Sequence, residues 1–166
     1  IEAAIAGDDA EVLDLGTGSG VCAVVAARKA RRVVAVDITA AAVRCAAINA
    51  ALNQLEHKID VRQGDLFEPV AGERFDLVLF NPPFVRGTPC DDRDRAWRSP
   101  DAAERFAAQL ALHLRPGGCA LLLLSTFGDG AAFLNEILAR GLSVNVHATR
   151  TFVNERLTIF RLGLPR

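Results

Sequence analysis

Short apolar, β-branched runs alternate with helix-forming stretches from one end of the chain to the other, and nothing else constrains its fold so strongly. Glu11 to Leu15, Arg32 to Asp37, Asp60 to Gln63, Phe75 to Phe80 and Cys119 to Ser125 read as strands. Phe75-Asp76-Leu77-Val78-Leu79-Phe80 is almost unbroken in apolar residues, which suits a parallel strand covered by helices on both faces. Helices are expected over Gly20 to Lys29, Ala40 to Leu52 with Thr39 as N-cap, Asp101 to Leu114, and Ala131 to Ala139. Phe133 and Ile137 share one face of the last, and Gly141 supplies a left-handed cap. Arg115-Pro116-Gly117-Gly118 stops the third helix. Leu142 to Thr149 then alternates, with Leu142, Val144, Val146 and Ala148 on one side, and a turn near Asn154 leads into Arg156 to Leu162. No helix separates these last two strands, and a short turn joins neighbouring strands only in antiparallel fashion. The expectation is an α/β fold: a doubly wound, mostly parallel sheet whose last strand runs antiparallel.

The 166 residues suffice for one domain with a substantial core. Nineteen Lys plus Arg, of which only Lys29 and Lys58 are Lys, face twenty Asp plus Glu, so the net charge is -1. That excludes a cationic protein held to nucleic acid by bulk electrostatics, while leaving room for a local basic patch. The longest apolar run, Cys119 to Leu124, is far below the ~18 residues of a membrane span. Cys22, Cys45, Cys90 and Cys119 are widely spaced with no CxxC, which disfavours a disulfide scaffold and fits a reducing, cytoplasmic setting. His57, His113 and His147 lack ligand spacing, so no metal is expected. The chain starts at Ile1 and contains no Met, from which an absent upstream segment is expected.

The first strand ends in Asp14-Leu15-Gly16-Thr17-Gly18-Ser19-Gly20. Glycines permit a tight turn and close backbone approach to a ligand. In doubly wound sheets such a turn lies at the carboxyl ends of the strands. Asp37 closes the second strand 21 residues after Gly16, a distance at which a carboxylate can accept both ribose hydroxyls of an adenosine-containing ligand. The spacing is GxGxG rather than the dinucleotide fingerprint, and Asp14 would repel a pyrophosphate but suits a cationic ligand. No GK[ST] follows, which removes the Walker alternative. Asp65, in Gln63-Gly64-Asp65-Leu66-Phe67, leaves the third strand at the same edge. It can accept from an adenine amino group while Ile38 and Leu66 pack on the ring faces.

Asn81-Pro82-Pro83-Phe84 follows the fourth strand. Two prolines fix φ and remove two backbone donors, so the backbone offers a ligand mostly carbonyl acceptors. Asn81 adds a side-chain carbonyl and Phe84 an aromatic face. Acceptors converging beside a ring form a receptor for a planar NH2 group, an amide or the exocyclic amine of a base. Such a site works by alignment and by acceptors matched to charge developing on nitrogen, without a base of pKa near 7.

Together, Asp14 to Gly20, Val33 to Ile38 (VVAVDI), Gly64 to Phe67 (GDLF) and Phe80 to Phe84 (FNPPF) resemble the class I S-adenosylmethionine-dependent methyltransferases. More narrowly they resemble the small-domain group around the HemK-type release-factor glutamine N5-methyltransferases, in the compact form. The resemblance covers nearly the whole chain, including the terminal hairpin. It implies a Rossmann-like methyltransferase fold of seven strands in the order 3-2-1-4-5-7-6, and one catalytic domain over residues 1–166. It also implies S-adenosyl-L-methionine as cofactor with S-adenosyl-L-homocysteine as product. By the same resemblance Asp14, Gly16, Thr17 and Gly18 line the methionine half, Asp37 and Ile38 meet the ribose and ring, and Asp65 and Leu66 meet the adenine. Asn81, Pro82, Pro83 and Phe84 form the catalytic element, with Asn81 also touching the cofactor side. Phe84 stands where glutamine methylators usually carry Tyr, which keeps the stacking face and omits a hydroxyl. Ala46 to Ala50 matches a helix segment with Asn-Ala in this group and is expected to be structural.

The motif does not choose its acceptor. A protein glutamine in a release factor leads, an adenine or guanine amine in RNA or DNA is the main alternative, and a non-catalytic cofactor-binding regulator or a small-molecule substrate stays open. Asn81 to Pro100 shows no periodicity and reads as a long loop of lid or binding type. Within it Trp97 either meets substrate or anchors the loop to the core. From Arg86 to Arg105 five arginines face five acids, which argues against a phosphate-binding strip. The terminal stretch, with Arg150, Arg156, Arg161 and Arg166 against Glu155, is more basic. Cys22 and Cys45 are expected as small buried side chains.

Overall fold

The computed structural model describes residues 1–5 and 7–164; Arg166, the last of the terminal basic residues, lies outside the described residues. Seven strands form one sheet: β1 (Glu11–Leu15), β2 (Arg32–Asp37), β3 (Ile59–Gln63), β4 (Phe75–Phe80), β5 (Leu114–Ser125), β6 (Ser143–Thr151) and β7 (Arg156–Gly163). Their spatial order is 3-2-1-4-5-7-6. β1 to β5 pair in parallel, and β7 runs antiparallel between β5 and β6. Helices α1 (Val21–Ala27), α2 (Ala40–Leu52), α3 (Ala102–Leu110) and α4 (Gly130–Ala139) make the crossovers. The architecture is therefore the doubly wound α/β sheet expected from the alternation of runs. Among the described residues, no helix is long and apolar enough to cross a membrane.

Alternate residues of the parallel strands point to opposite layers, so each strand feeds two cores. Leu13, Val34, Val78 and Leu122 face α3 and α4, together with Phe67, Phe80, Phe106 and Phe133. Val12, Val33, Leu77 and Leu121 face the other layer, where Ala23, Ala26, Ala27 and Ala50 supply the helix surface. One layer is thus filled with aromatic rings and the other with small side chains that let α1 and α2 lie close. Thr39 caps α2 as expected, its hydroxyl accepting from the Ala42 N–H at 3.3 Å. Gly141 has the left-handed φ of 74° after α4.

Several boundaries differ from the sequence reading, each for a local reason. α3 ends at Leu110 and passes through a 3-10 turn, Ala111–His113, instead of continuing to Leu114. Arg115 to Gly118 do not separate helix from strand: Leu114 already pairs with Phe75, and the ladder slips before Leu77 meets Cys119. β6 carries a second slip between Val146 and Ala148. The expected one-sided alternation breaks there, and Val146 is exposed. Asn81 to Pro100 is not irregular throughout. Val85–Arg86 pairs in parallel with Arg98–Ser99, and Asp94–Ala96 forms a 3-10 turn, which folds the segment back on itself. Cys45 is exposed on α2 rather than buried.

Charges are concentrated and paired at the amino edge of the sheet. Arg32 bridges Asp60 (3.1 Å) and Glu73 (3.0 Å), Arg62 bridges the same two acids, and Arg115 meets Asp76 at 2.7 Å. The carboxyl edge is left for other chemistry.

Phe106 ties the aromatic layer together, its ring centroid lying 5.9 Å from Phe67, 4.7 Å from Phe80 and 6.5 Å from Phe133. Phe106→Ala is expected to lower stability by about 3–5 kcal/mol, read as a lower urea midpoint with an unchanged m-value.

Candidate active site

All twelve residues singled out in the sequence line one cavity of about 1040 Å³ at the carboxyl edge of the sheet. Register explains the convergence. Leu15 lies beside Val36 and Phe80, and Asp37 beside Gln63, so the segments leaving β1, β2, β3 and β4 emerge side by side.

The glycine loop between β1 and α1 is held by carboxylates. Asp14, 3% exposed, uses Oδ2 to accept from the Thr17 hydroxyl at 2.7 Å and the Ala23 N–H at 3.0 Å. Asp37 accepts from the Gly18 N–H at 3.0 Å with Oδ2, and from the Thr39 N–H and hydroxyl, each at 3.0 Å, with Oδ1. The Thr17 N–H donates to Val36 O at 2.9 Å. Gly16, Gly18 and Gly20 have φ of 61°, 56° and 81°, a left-handed backbone that side chains with a Cβ rarely adopt. At Gly20 a Cβ would also lie 3.0 Å from Ala46, where α1 and α2 cross. Asn49 adds a side-chain N–H to Ser19 O at 2.8 Å, a structural tie between α2 and the loop.

Asp65 follows β3, and Arg105 of α3 donates to its Oδ2 at 2.8 Å. That pair joins residues 40 apart in sequence, so no local pattern could reveal it. It fixes one oxygen of Asp65, a residue of the cavity wall, and the other accepts no hydrogen bond among the described residues. Leu66 takes a positive φ of 49°. Ile38 and Leu66 are partly exposed side chains on the same cavity wall.

Asn81 is exposed at the tip of β4, and its carbonyl oxygen lies 3.9 Å from where a Gly16 Cβ would sit. The β1 loop and the β4 tip are therefore in contact. Pro82 is buried, and Pro83 and Phe84 are half-buried. The Asp129 N–H donates to Phe84 O at 2.9 Å, and Gly128 packs against Phe84 so closely that any Cβ there would collide with it. Trp97 also lines the cavity but is 62% exposed, so it does not anchor the loop in the core.

Electrostatically the site is acidic where the loop turns. Asp14 and Asp37 have no basic partner among the described residues, unlike Asp65. Burial pushes the Asp14 carboxyl up to about 6, overcoming the bonds from Thr17 and Ala23, and the neighbouring charge of Asp37 adds to the rise. A buried carboxylate without a cation favours a positively charged ligand. Among the described residues no group of three or more His, Cys, Asp or Glu is placed to hold a metal.

Residues 2–152 match the family described as methyltransferase small domain. The release factor glutamine methyltransferase of Xylella fastidiosa (strain Temecula1 / ATCC 700964) is 35% identical over 164 residues, covering 90% of this chain and 59% of that protein. The ribosomal RNA small subunit methyltransferase C of Alcanivorax borkumensis is 38% identical over 112 residues, covering 68% of this chain and 31% of that protein. The chain thus spans well under two thirds of the length of both. An RNA methyltransferase structure from Salinibacter ruber, in complex with S-adenosyl-L-homocysteine, superposes with a TM-score of 0.65 at 22% identity, covering 99% of this chain and 87% of that one; at that identity it shows the shared fold.

A raised native carboxyl means the folded state holds its proton longer than the unfolded state. The Asp14 contribution is therefore fully favourable below about 3.8 and is lost as pH rises through about 6. The loss amounts to roughly 3 kcal/mol. Asp14→Asn should remove this downward slope, seen as the difference between wild-type and variant urea midpoints across pH 4 to 7.

Proposed function

The chain belongs to the methyltransferase small-domain family, and on that premise we propose that it transfers a methyl group from S-adenosylmethionine to the side-chain amide of a glutamine in a translation release factor. The observation that carries this reading is the shared cavity: Asn81-Pro82-Pro83-Phe84 opens into the same space as Asp14, Asp37 and Asp65.

The residues present fit the cofactor. The cavity of about 1040 Å³ exceeds what a nucleoside with an amino-acid tail requires. Asp14 and the glycine-loop backbone would hold the cationic methionine end. Asp37 would receive ribose hydroxyls, with Oδ2 engaged by a single donor and so retaining an acceptor position. Asp65, held by Arg105 of the same cavity wall, would meet the adenine amine through its other oxygen, with Ile38 and Leu66 on the ring faces. Bound there, the cofactor supplies an electrophilic methyl group on a sulfonium centre.

The rest is done by the chain. The side-chain carbonyl of Asn81, which accepts no hydrogen bond among the described residues, takes one hydrogen of the target amide. The backbone carbonyl of Pro82 takes the other, and the fixed φ of the two prolines keeps these acceptors in place. Phe84 offers a flat face, itself held by the Asp129 N–H and by Gly128. Aligning both hydrogens turns the nitrogen lone pair out of the amide plane toward the methyl group, and the acceptors match the positive charge that develops there. The nitrogen sheds its proton after transfer, when it has become far more acidic, so no strong base is needed beside it.

The release-factor assignment is supported by the similarity to the Xylella fastidiosa protein. The same receptor also accommodates the exocyclic amine of a base, and the likeness to the ribosomal RNA methyltransferase C favours that second reading.

Asn81→Ala is expected still to bind S-adenosylmethionine and to lower kcat by about 100-fold or more; equal turnover would remove Asn81 from the mechanism. Asp37→Ala should instead weaken cofactor binding, measured by calorimetry. Incubating wild-type protein and methyl-labelled cofactor with a release factor, tRNA, rRNA and DNA should place the label on the release factor.

A further inference from the structure

Beyond the cavity, the carboxyl edge carries a run of exposed apolar side chains that the mechanism does not use. Trp97 is 62% exposed, Phe127 67%, Phe152 46% and Val153 100%. Main-chain bonds link them to the strand that presents Asn81. The Val85 N–H donates to Trp97 O at 2.8 Å, and the Asp129 N–H to Phe84 O at 2.9 Å. From the same turn, the Thr126 N–H donates to Arg156 O at 3.1 Å, and the Thr126 hydroxyl accepts from the Arg156 N–H at 3.0 Å. The Phe152 N–H donates to Glu155 O at 2.7 Å and closes the β6–β7 hairpin. The result is a rim running from the folded-back 85–99 segment, past Phe84, to the hairpin tip. Leu52 and Leu138, exposed near the ends of α2 and α4, and Leu112, just past α3, lie at the opposite edge of the sheet, whereas Val21 and Ile38 are exposed on the cavity wall.

Several large apolar side chains left in water beside a reaction site mark a contact surface. Its charges point to one class of occupant. Glu155 accepts from the Ser125 hydroxyl at 2.5 Å, and Arg150 and Arg156 outnumber it, so the hairpin tip carries a net positive charge. At the other end Asp92, with an 85% exposed side chain at the cavity mouth, pairs with Arg95 at 3.2 Å, so the charges there offset one another and offer no uniform cationic strip to a phosphate backbone. Arg150 lies 5.3 Å over the Phe152 ring and covers a face that a base would need for stacking. Val153 has no ring to offer.

We propose that this rim docks the polypeptide flanking the target glutamine, an extended segment with apolar side chains and a carboxylate placed toward Arg150 and Arg156. The inference rests on the glutamine reading and adds to it the surface that selects the substrate.

The test compares wild type with Phe127→Ser/Phe152→Ser/Val153→Ser and, separately, with Arg150→Glu/Arg156→Glu, on an intact release factor and on a glutamine peptide a few residues long. None of the three apolar residues lines the cavity, so cofactor affinity and turnover of the short peptide should not change. The KM for the intact release factor should rise about tenfold or more in each variant, with kcat unchanged. If the triple variant loses stability by urea titration, the charge-reversed variant carries the comparison. An unchanged KM in a folded variant overturns the rim while leaving the glutamine reading intact. A release factor that wild type leaves unlabelled overturns the glutamine reading and the polypeptide occupant with it. Label on RNA that falls in the variants assigns the rim to nucleic acid and overturns it likewise.

Discussion

Asp14 and Asp37 stand at the ends of adjacent strands and hold the same glycine loop, Asp37 through the Gly18 N–H and Asp14 through the Thr17 hydroxyl and the Ala23 N–H of α1. The loop enters the left-handed region at Gly16, Gly18 and Gly20, a shape that gains nothing from the regular hydrogen bonds of helix or strand. Its N–H groups need other acceptors: Asp37 takes that of Gly18, Val36 O that of Thr17 and Thr17 O that of Gly20. Asp14 braces the Thr17 hydroxyl while almost fully buried, which raises its pKa and leaves negative potential beside the loop. The same arrangement therefore fixes the backbone and prepares the floor of the cavity for a cation. With the loop set, Gly16 lies against the Asn81 backbone, and the two halves of the site share one boundary.

The two faces of the sheet divide the remaining work. Alanines on α1 and α2 let those helices settle close to the strands, so that the start of α1 crosses α2 at Gly20 and Ala46. The aromatic layer on the other face holds β4 rigidly through Phe80, whose ring lies 4.7 Å from Phe106. Asn81 is the next residue, so the packing of one buried ring sets the position of the exposed amide beside it. A network of charge pairs around Arg32, Arg62 and Asp76 stays clear of Asp14 and Asp37, whereas Asp65 of the cavity is itself paired with Arg105.

The parallel strands and helices were legible because each run encodes its own environment: β2, β4 and α2 match the sequence reading residue for residue. The antiparallel direction of the last strand followed from the missing helix before it, while the order of the strands came with the family resemblance. The residues of the cavity were legible because they punctuate strand ends, as Asp14, Asp37, Asp65 and Asn81 do. Other features depend on partners distant in sequence. The Arg105 bond to Asp65 has no local signature, and neither does the pairing of Val85–Arg86 with Arg98–Ser99. Pro116 and the glycines beside it read as a stop, yet β4 accommodates them by slipping its register near Asp76. His147 interrupts the β6 alternation for a similar reason. Whether Trp97 is inside or outside depends on how the segment folds back, which its composition does not encode.

The hydrogen bonds that build the outer rim come largely from peptide groups: Val85 to Trp97, Asp129 to Phe84, Phe152 to Glu155. Such bonds are indifferent to the side chains those residues carry. A lineage can therefore exchange the aromatic and basic groups along the rim by single substitutions, without disturbing the loop, the aromatic layer or the Asn81 tip of β4. One scaffold can in this way vary the surface around its cavity while the cavity itself stays constant.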